Sequence, residues 1–293
     1  MTSATPAEQM RSLREGCGVL APTRGFVSVD GPEALALLQN LLTQDLDGIV
    51  DGEARRALLL TPKAKVIADV RVTRVGDERL LLDLEPESAD RLAALLLRYR
   101  LRAQAEIAVT GHWSLISLIG PAAATVDLPG TRLATAIGGV PRGDVIVPTI
   151  GLMGSLAAAE RAGAVRVDEA AVEALRVEAG AVRLGRDVDE RWMPAEVGLV
   201  DAAVSFDKGC FIGQEPVTRL HRRGHANRGP RRLALEAAVE PGTTLAADGR
   251  DVGVVTSVAG PPWLGEERAI GIVRVDAGDA PLSAGGVAAR LLP

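Results

Sequence analysis

The spacing of apolar residues divides the first third of the chain into strands and two helices. Leucines at helical spacing predict amphipathic helices in PEALALLQNLLTQDL and PESADRLAALLLRYRL, which carry a proline or acidic residues in the first turn. Shorter apolar runs predict strands in GFVSVDG, ARRALLLT, AKVIADVRVTRV, RLLLDLE and AEIAVT. This order is not the strict alternation of a doubly wound sheet. We therefore predict an antiparallel-rich α+β unit over 16–111, preceded by a frayed N-terminus.

A second α+β unit is predicted over 112–228. WSLISLIG, TRLATAIGGV and GDVIVPTIG predict strands around a PRGD turn, and LMGSLAAAERAGA and DEAAVEALRVEAGAVRLG predict helices. Past Arg232 the helical period disappears, and short β-prone segments alternate with Pro-Gly, Asp-Gly and Gly-Pro-Pro turns. This pattern predicts a small all-β module over 229–293, either a barrel or a sandwich.

Composition and charge narrow the class of protein. The chain has 293 residues, 47% of them hydrophobic, and a net charge of −5, which argues against a surface that binds nucleic acid throughout. It contains neither an apolar run of bilayer length nor a signal core, so no membrane association is predicted. Cys17 and Cys210 lie far apart, which suggests neither a disulfide framework nor a zinc site. We expect a reduced, cytoplasmic protein.

Lysine marks two short segments of an arginine-rich chain. Of 33 basic residues only Lys63, Lys65 and Lys208 are lysines, and they fall in TPKAKV and FDKGCFIGQE. The second segment also holds Cys210, and an ammonium two residues away favours the nucleophilic thiolate. The alternative is an inert thiol packed between Phe206 and Phe211.

Charged residues outside these segments suggest an anion site. The stretch RLHRRGHANRGPRR, predicted to form an Arg219–Arg232 loop, has six arginines and no acid, so it suits phosphate, carboxylate or a nucleic-acid backbone. It is equally compatible with a solvated surface. Asp69 lies mid-strand in an apolar run, where Arg71 on the same strand face is a possible partner. Glu178 ends an apolar helix, where a solvated glutamate is the default.

Several motifs, in this order, resemble one family. KGCFIGQE resembles the K-G-C-[FY]-x-G-Q-E signature of YgfZ proteins, which are related to the aminomethyltransferase (T-protein) of the glycine cleavage system. LLTPKAKVIADVRV and ALRVEAGAVRLGRDVDERWMPAEVGL are similar to further family segments, although Ala64 replaces the usual glycine of PKG. The resemblance implies an α+β multidomain fold. In it, two antiparallel-rich α+β units, free to interleave, and a C-terminal β-barrel surround a pocket for tetrahydrofolate or a one-carbon derivative.

The resemblance also implies roles for individual residues. Glu178 is expected to accept hydrogen bonds from the pterin, and the arginines are expected to receive the anionic folate tail. Cys210 and Asp69 are the expected catalytic residues. The expected folate-binding residues are Glu178, Lys208, Gln214, Glu215, Arg219 and Arg223.

The functional expectation is a folate-binding accessory protein of the YgfZ type. Such a protein supports the assembly or repair of iron–sulfur proteins, its clients, and tRNA modification. One alternative is an aminomethyltransferase that passes a one-carbon unit to tetrahydrofolate, with Asp69 as the polarising group. Another is an RNA-binding module that uses the Arg219–Arg232 loop, although nucleic acid is not expected as the primary ligand.

Overall fold

A computed structural model describes residues 4–224, 226–277 and 281–293, so His225 lies outside the described part. The helices are α1 (Pro6–Glu15), α2 (Ala34–Leu41), α3 (Ala89–Arg100), α4 (Leu152–Arg161), α5 (Glu169–Ala179), α6 (Val200–Ala203) and α7 (Gln214–Arg223). The strands are β1 (Gly18–Leu20), β2 (Gly25–Asp30), β3 (Ala54–Leu60), β4 (Val66–Arg74), β5 (Arg79–Leu84), β6 (Glu106–Val109), β7 (Trp113–Ile119), β8 (Thr131–Ile137), β9 (Val140–Pro148), β10 (Val165–Arg166), β11 (Arg228–Leu235), β12 (Thr244–Ala247), β13 (Arg250–Ala259), β14 (Glu267–Arg274), β15 (Leu282–Ala284) and β16 (Val287–Leu292).

The first sheet has the order β3-β4-β5-β2-β6, and all its neighbouring strands are antiparallel. Alternation along β4 puts Ala68, Val70 and Val72 in the core shared with α2 and α3. The same alternation turns Asp69 and Arg71 to the opposite face of the sheet, away from the helices.

The second sheet has the order β10-β1-β7-β9-β8, so the N-terminal strand β1 pairs with β7 and β10. The predicted first unit of 16–111 thus contributes β1 to the second sheet. The expected frayed N-terminus is wrong for residues 6–15, which form α1. Thr5 and Glu8 make a capping box there, and Met10 and Leu13 are buried against α5.

The hairpin between β8 and β9 turns at two glycines rather than at PRGD. Gly138 and Gly139 have φ of +54° and +85°, the left-handed region in which glycine pays no steric penalty. The PRGD residues instead lie inside β9, where Asp144 pairs with Ser117 of β7 and Leu133 of β8.

The C-terminal strands close into a barrel of order β11-β14-β13-β12-β15-β16. Its interior is filled by apolar side chains that include Leu233, Leu245 and Val255. Together with the two sheets and their helices, the barrel confirms the predicted α+β class with a C-terminal β-barrel. Among the described residues, none of the helices has the length and apolar character needed to span a membrane.

The two sheets face one another through the sides that their helices leave uncovered. An apolar seam joins them, formed by Phe26, Leu81, Leu115, Leu133 and Ile146. Because side chains alternate between the two sides of a strand, the charged residues next to this seam lie on the same two facing sides of the sheets. That arrangement positions the cavity described next.

Candidate functional site

A cavity of about 870 Å³ lies between the facing sides of the two sheets and α5. Part of its wall is apolar, with Leu20, Ile119 and Val172 at the edge of the core beneath α5. The rest is charged, with seven arginines (24, 56, 71, 132, 142, 176 and 183) and eight acidic residues (53, 69, 83, 85, 87, 144, 169 and 173). The volume is in the usual range for a small-molecule site, about 300–1,000 Å³.

Asp69 is the one predicted site residue that lines the cavity. Its partner is Arg56 on the neighbouring strand β3, not Arg71 as the alternation along β4 suggested. Arg56 donates from Nε to Oδ1 at 2.8 Å and from Nη2 to Oδ2 at 2.5 Å. The register places Leu58 directly opposite Asp69, so Arg56 reaches diagonally across the sheet face. This bidentate pair fixes the carboxylate while leaving each oxygen a free lone pair.

Arg71 joins the two sheets across the cavity floor. It donates to Asp83 of β5 from Nε at 2.8 Å and from Nη2 at 3.1 Å, and to Asp144 of β9 from Nη1 at 2.6 Å. Arg142 and Ser117 also donate to Asp144, at 2.7 and 2.6 Å. Burial would raise the pKa of Asp144, but the guanidiniums of Arg142 and Arg71 lower it to about 2. Asp144 is therefore an ionised hydrogen-bond acceptor at neutral pH.

Arginines also hold the carboxylates along the cavity rim. Glu85 accepts from Arg24 at 2.8 Å and from Arg183 at 2.6 Å. Glu173 of α5 accepts two hydrogen bonds from Arg176, and its pKa is lowered because these interactions outweigh the effect of burial. Arrays of fixed carboxylates and guanidiniums suit a ligand that carries both N–H donors and anionic oxygens.

Arg176 continues the charged network into the barrel. It donates to the buried carboxylate of Asp187 and to Ser257 of β13, both at 2.6 Å. Asp187 also accepts from the hydroxyl groups of Thr256 and Ser257. The barrel is thus tied by hydrogen bonds to the helix that forms one wall of the cavity.

Glu178 lies outside the cavity lining. It is the penultimate residue of α5, and its carboxylate accepts hydrogen bonds from Arg14 of α1 at 2.8 and 2.9 Å. Both side chains are substantially exposed, 38% for Glu178 and 46% for Arg14.

Lys208 is bound at the C-terminal end of α2. Its ammonium donates to the carbonyl oxygens of Gln39, Leu42 and Gln44, the last two at 2.7 and 2.9 Å. Carbonyls at a helix end lack partners within the helix, and a cation there also interacts favourably with the helix dipole. Burial lowers the pKa of Lys208 to about 8. The lysine therefore orders its own loop against α2 and does not line the cavity.

Cys210 is exposed between two anchored aromatic residues. Phe211 is buried with Leu60 and Trp192 in the apolar cluster beneath this loop. Phe206 stacks on His221 of α7 with ring centroids 4.1 Å apart. The thiol of Cys210 is therefore not packed in the core. Phe206 and Phe211 make the contacts with the rest of the protein, and the thiol stays at the surface.

The two lysine-bearing segments of the sequence touch one another. Gly213, with φ +80°, precedes α7 and packs so closely on the 61–65 turn that a Cβ there would lie 2.6 Å from the Thr61 carbonyl oxygen. In that turn Ala64 takes φ +59°, so the tight turn forms with alanine in place of the family's glycine. Lys65 in turn lies 3.6 Å from Glu196.

The remaining predicted folate-binding residues are on α7. The expected Arg219–Arg232 loop is in fact this helix followed by strand β11. Gln214 is partly buried and Glu215, Arg219 and Arg223 are exposed, and none of the four lines the cavity. The structure thus separates the expected single site into a cavity with Asp69 and a surface with Cys210. The apolar cluster around Leu58, Leu60 and Phe211 continues along the Asp69 face of β3 and β4 into the Cys210 region.

Two family models match the chain. The GCVT N-terminal domain matches residues 2–129, and the C-terminal β-barrel domain of CAF17 matches residues 222–293. The chain thus combines a GCVT-like N-terminal domain with a CAF17-type C-terminal β-barrel, in agreement with the resemblance to YgfZ proteins.

Individual proteins are similar to this chain over most of its length. Aminomethyltransferase from Rubrobacter xylanophilus is 29% identical over 86% of this chain and 73% of that protein. The mitochondrial iron-sulfur cluster assembly factor IBA57 homolog of Mycosarcoma maydis is 27% identical over 69% of this chain and 53% of that protein. The solved structure of glycine cleavage system aminomethyltransferase T from Bartonella henselae has the same fold, with a TM-score of 0.82 at 22% identity over 98% of this chain and 88% of that one.

Most of the cavity wall was not predicted from the sequence. Arg56, Asp83 and Asp144 lie in segments with a strand-like sequence pattern. A single charged residue in such a segment is usually interpreted as part of the solvent-exposed side of the strand. Their common signal is a charge at an alternating position within an apolar strand, as was noted for Asp69. Which of these charges face one another depends on strand order and could not be obtained from spacing alone.

Proposed function

We propose that this chain binds a reduced folate in the cavity and acts as an accessory protein in iron–sulfur cluster assembly. The observation that carries the folate proposal is the cavity itself, whose wall combines arginine-fixed carboxylates, guanidiniums and apolar side chains. A reduced folate presents N–H donors on its pterin, a flat ring body and an anionic tail. Each part of that ligand has a complementary wall group in the cavity.

Asp69 is the proposed acceptor for a donor group of the folate. A carboxylate offers about four lone-pair positions, and Arg56 occupies two of them. The side chain of Asp69 is 14% exposed, so a hydrogen bond made there is largely shielded from water. The ion pair with Arg56 holds the carboxylate in place before the ligand arrives, which reduces the entropy lost on binding.

The cluster-assembly part of the proposal is supported by the family and by the relatives' names. The C-terminal barrel matches the CAF17 model, and the Mycosarcoma maydis relative is named an iron-sulfur cluster assembly factor. Iron–sulfur proteins are accordingly the proposed clients. In cells that lack the protein, we expect iron–sulfur enzyme activities to fall and to recover when the wild-type gene is returned.

The folate proposal is tested by calorimetric titration of tetrahydrofolate into the purified protein. Asp69→Asn keeps the shape of the side chain but removes its charge, so we expect affinity to fall by at least about tenfold. Glu178→Gln is the matched control, because its carboxylate lies outside the cavity. Wild-type affinity in Asp69→Asn together with a loss in Glu178→Gln would place the pterin on Glu178, as the family resemblance implies, and would remove it from the cavity.

An aminomethyltransferase is the second candidate function. Asp69 in the cavity wall favours it, because a fixed carboxylate can stabilise positive charge that develops on a bound amine. The two functions differ in turnover. Purified protein supplied with an aminomethylated lipoyl carrier and tetrahydrofolate should form a methylene-folate product if it is a transferase, and none if it is an accessory protein.

A further inference from the structure

Helix α7 presents an exposed basic surface that the cavity does not use. Arg219, Arg222 and Arg223 are exposed and, at spacings of three and four residues, share one side of the helix. None of the three forms an ion pair with an acid in the part of the chain that the structure describes. Glu215 lies one turn before Arg219, yet no ion pair joins them. We call these three arginines the α7 basic surface.

The loop that carries the exposed thiol of Cys210 packs on a different side of α7. Phe206 stacks on His221, which is two residues from both Arg219 and Arg223 and therefore points to a different side of α7. Cys210 is four residues further on, at most about 14 Å of extended chain from Phe206. The loop then returns to the helix at Gly213, the residue before α7. The Cys210 loop therefore leaves the three guanidiniums of the α7 basic surface uncovered.

We propose that the α7 basic surface is a docking site for an acidic segment of a partner protein. The inference concerns a region outside the cavity and does not depend on folate binding. Charge complementarity carries it, since three guanidiniums with no acidic partner among the described residues form a local positive field on a chain whose net charge is −5. Guanidiniums also pair with carboxylates in a bidentate geometry, which orients the partner as well as attracting it.

A protein segment suits this surface better than RNA. Single-stranded nucleic acid is bound by proteins largely through bases stacked on free aromatic rings. Phe211 and Trp192 are each only 6% exposed, Arg228 covers the Trp192 ring at 4.5 Å, and Phe206 is already stacked on His221. A polyanion long enough to extend beyond the ten residues of α7 would be repelled by the negative net charge of the chain.

The test measures binding of labelled 12-residue probes to the full chain at low salt. The probes are an Asp/Glu-rich peptide, a matched Asn/Gln peptide and a 12-nucleotide oligouridine. The triple variant Arg219→Gln, Arg222→Gln, Arg223→Gln removes the basic surface. Its control replaces three exposed arginines elsewhere, Arg11, Arg161 and Arg250, with glutamine, so both variants change the net charge equally.

We expect the acidic peptide to bind more tightly than the other two probes, and less tightly as salt rises. The α7 variant should lose about tenfold or more in affinity while the control variant keeps it. Equal losses in both triple variants, or tighter binding of oligouridine than of the acidic peptide, would each overturn the proposal.

Discussion

Asp144 is a buried carboxylate that links the two sheets, and its replacement by asparagine is a strict test of the structure. The side chain is 1% exposed and accepts from Arg71 of the first sheet and from Arg142 and Ser117 of the second. Asp144→Asn preserves the shape of the side chain but removes the negative charge. The two guanidiniums then lose their shared counter-ion in an environment that solvates charge poorly.

The structure gives the size of the effect. In the folded protein the pKa of Asp144 falls from 3.8 to about 2. Since each pKa unit corresponds to about 1.4 kcal/mol, ionisation of this group stabilises the fold by about 2 kcal/mol at pH 7. Breaking a buried ion pair usually costs about 3–5 kcal/mol, because the remaining charge stays buried. The asparagine amide oxygen still accepts one hydrogen bond, so we expect a loss near the lower end, about 3 kcal/mol.

Urea unfolding of wild type and variant at several pH values measures this loss. Because the pKa of Asp144 is lowered on folding, its contribution is complete above its ordinary pKa of 3.8 and disappears as the pH falls towards 2. The difference in unfolding free energy between wild type and Asp144→Asn should therefore shrink by about 1 kcal/mol between pH 5 and pH 3.

Glu160→Gln is the control for this experiment. Glu160 pairs with Arg166 at 2.9 Å, but the two side chains are 30% and 44% exposed. A pair of this kind contributes about 0–1 kcal/mol. If Asp144→Asn lost no more stability than Glu160→Gln, or if its deficit did not depend on pH, the ionic link between the sheets would be wrong.

Three further predictions concern the loop around Cys210. Lys208→Met should destabilise the fold by about 2 kcal/mol in urea unfolding, because three carbonyl groups at the end of α2 lose a charged donor. An unchanged urea midpoint would show that Lys208 does not anchor its loop to α2. Iodoacetamide should label Cys210 well before the buried Cys17, whose thiol pKa is raised by burial, and folate should not slow the labelling, because Cys210 lies outside the cavity. Gly213→Ala should cost more than about 2 kcal/mol and Gly224→Ala about 1 kcal/mol in thermal melts, since both have positive φ but only Gly213 lacks space for a methyl group. Equal costs would contradict the packing of Gly213 on the 61–65 turn.

Local pattern was enough to identify most of the elements and the fold class. The alternation of Ala68, Val70 and Val72 marks one side of β4 as core, which leaves Asp69 and Arg71 on the other side whatever the strand's neighbours are. The predicted helices and the turn-rich C-terminal module depend on spacing and turn residues in the same way, and they are present. The KGCFIGQE motif and its order relative to the other segments likewise indicated a relationship to GCVT-like proteins, which the matching N-terminal domain model supports.

The pairing of these faces was decided only by the tertiary structure. The spacing of residues along a strand tells which side of the sheet each side chain occupies, but not which strand lies next to it. The sequence therefore suggested Arg71 as the ion-pair partner of Asp69, whereas the register of β3 on β4 supplies Arg56. The contact of Arg71 with Asp144 spans 73 residues and exists because two sheets meet face to face. Because Lys208 is close to Cys210 in sequence, it was expected to activate the thiol. In the structure the carbonyl groups at the end of α2 bind the ammonium of Lys208 instead. Burial of Phe211 leaves Cys210 at the surface.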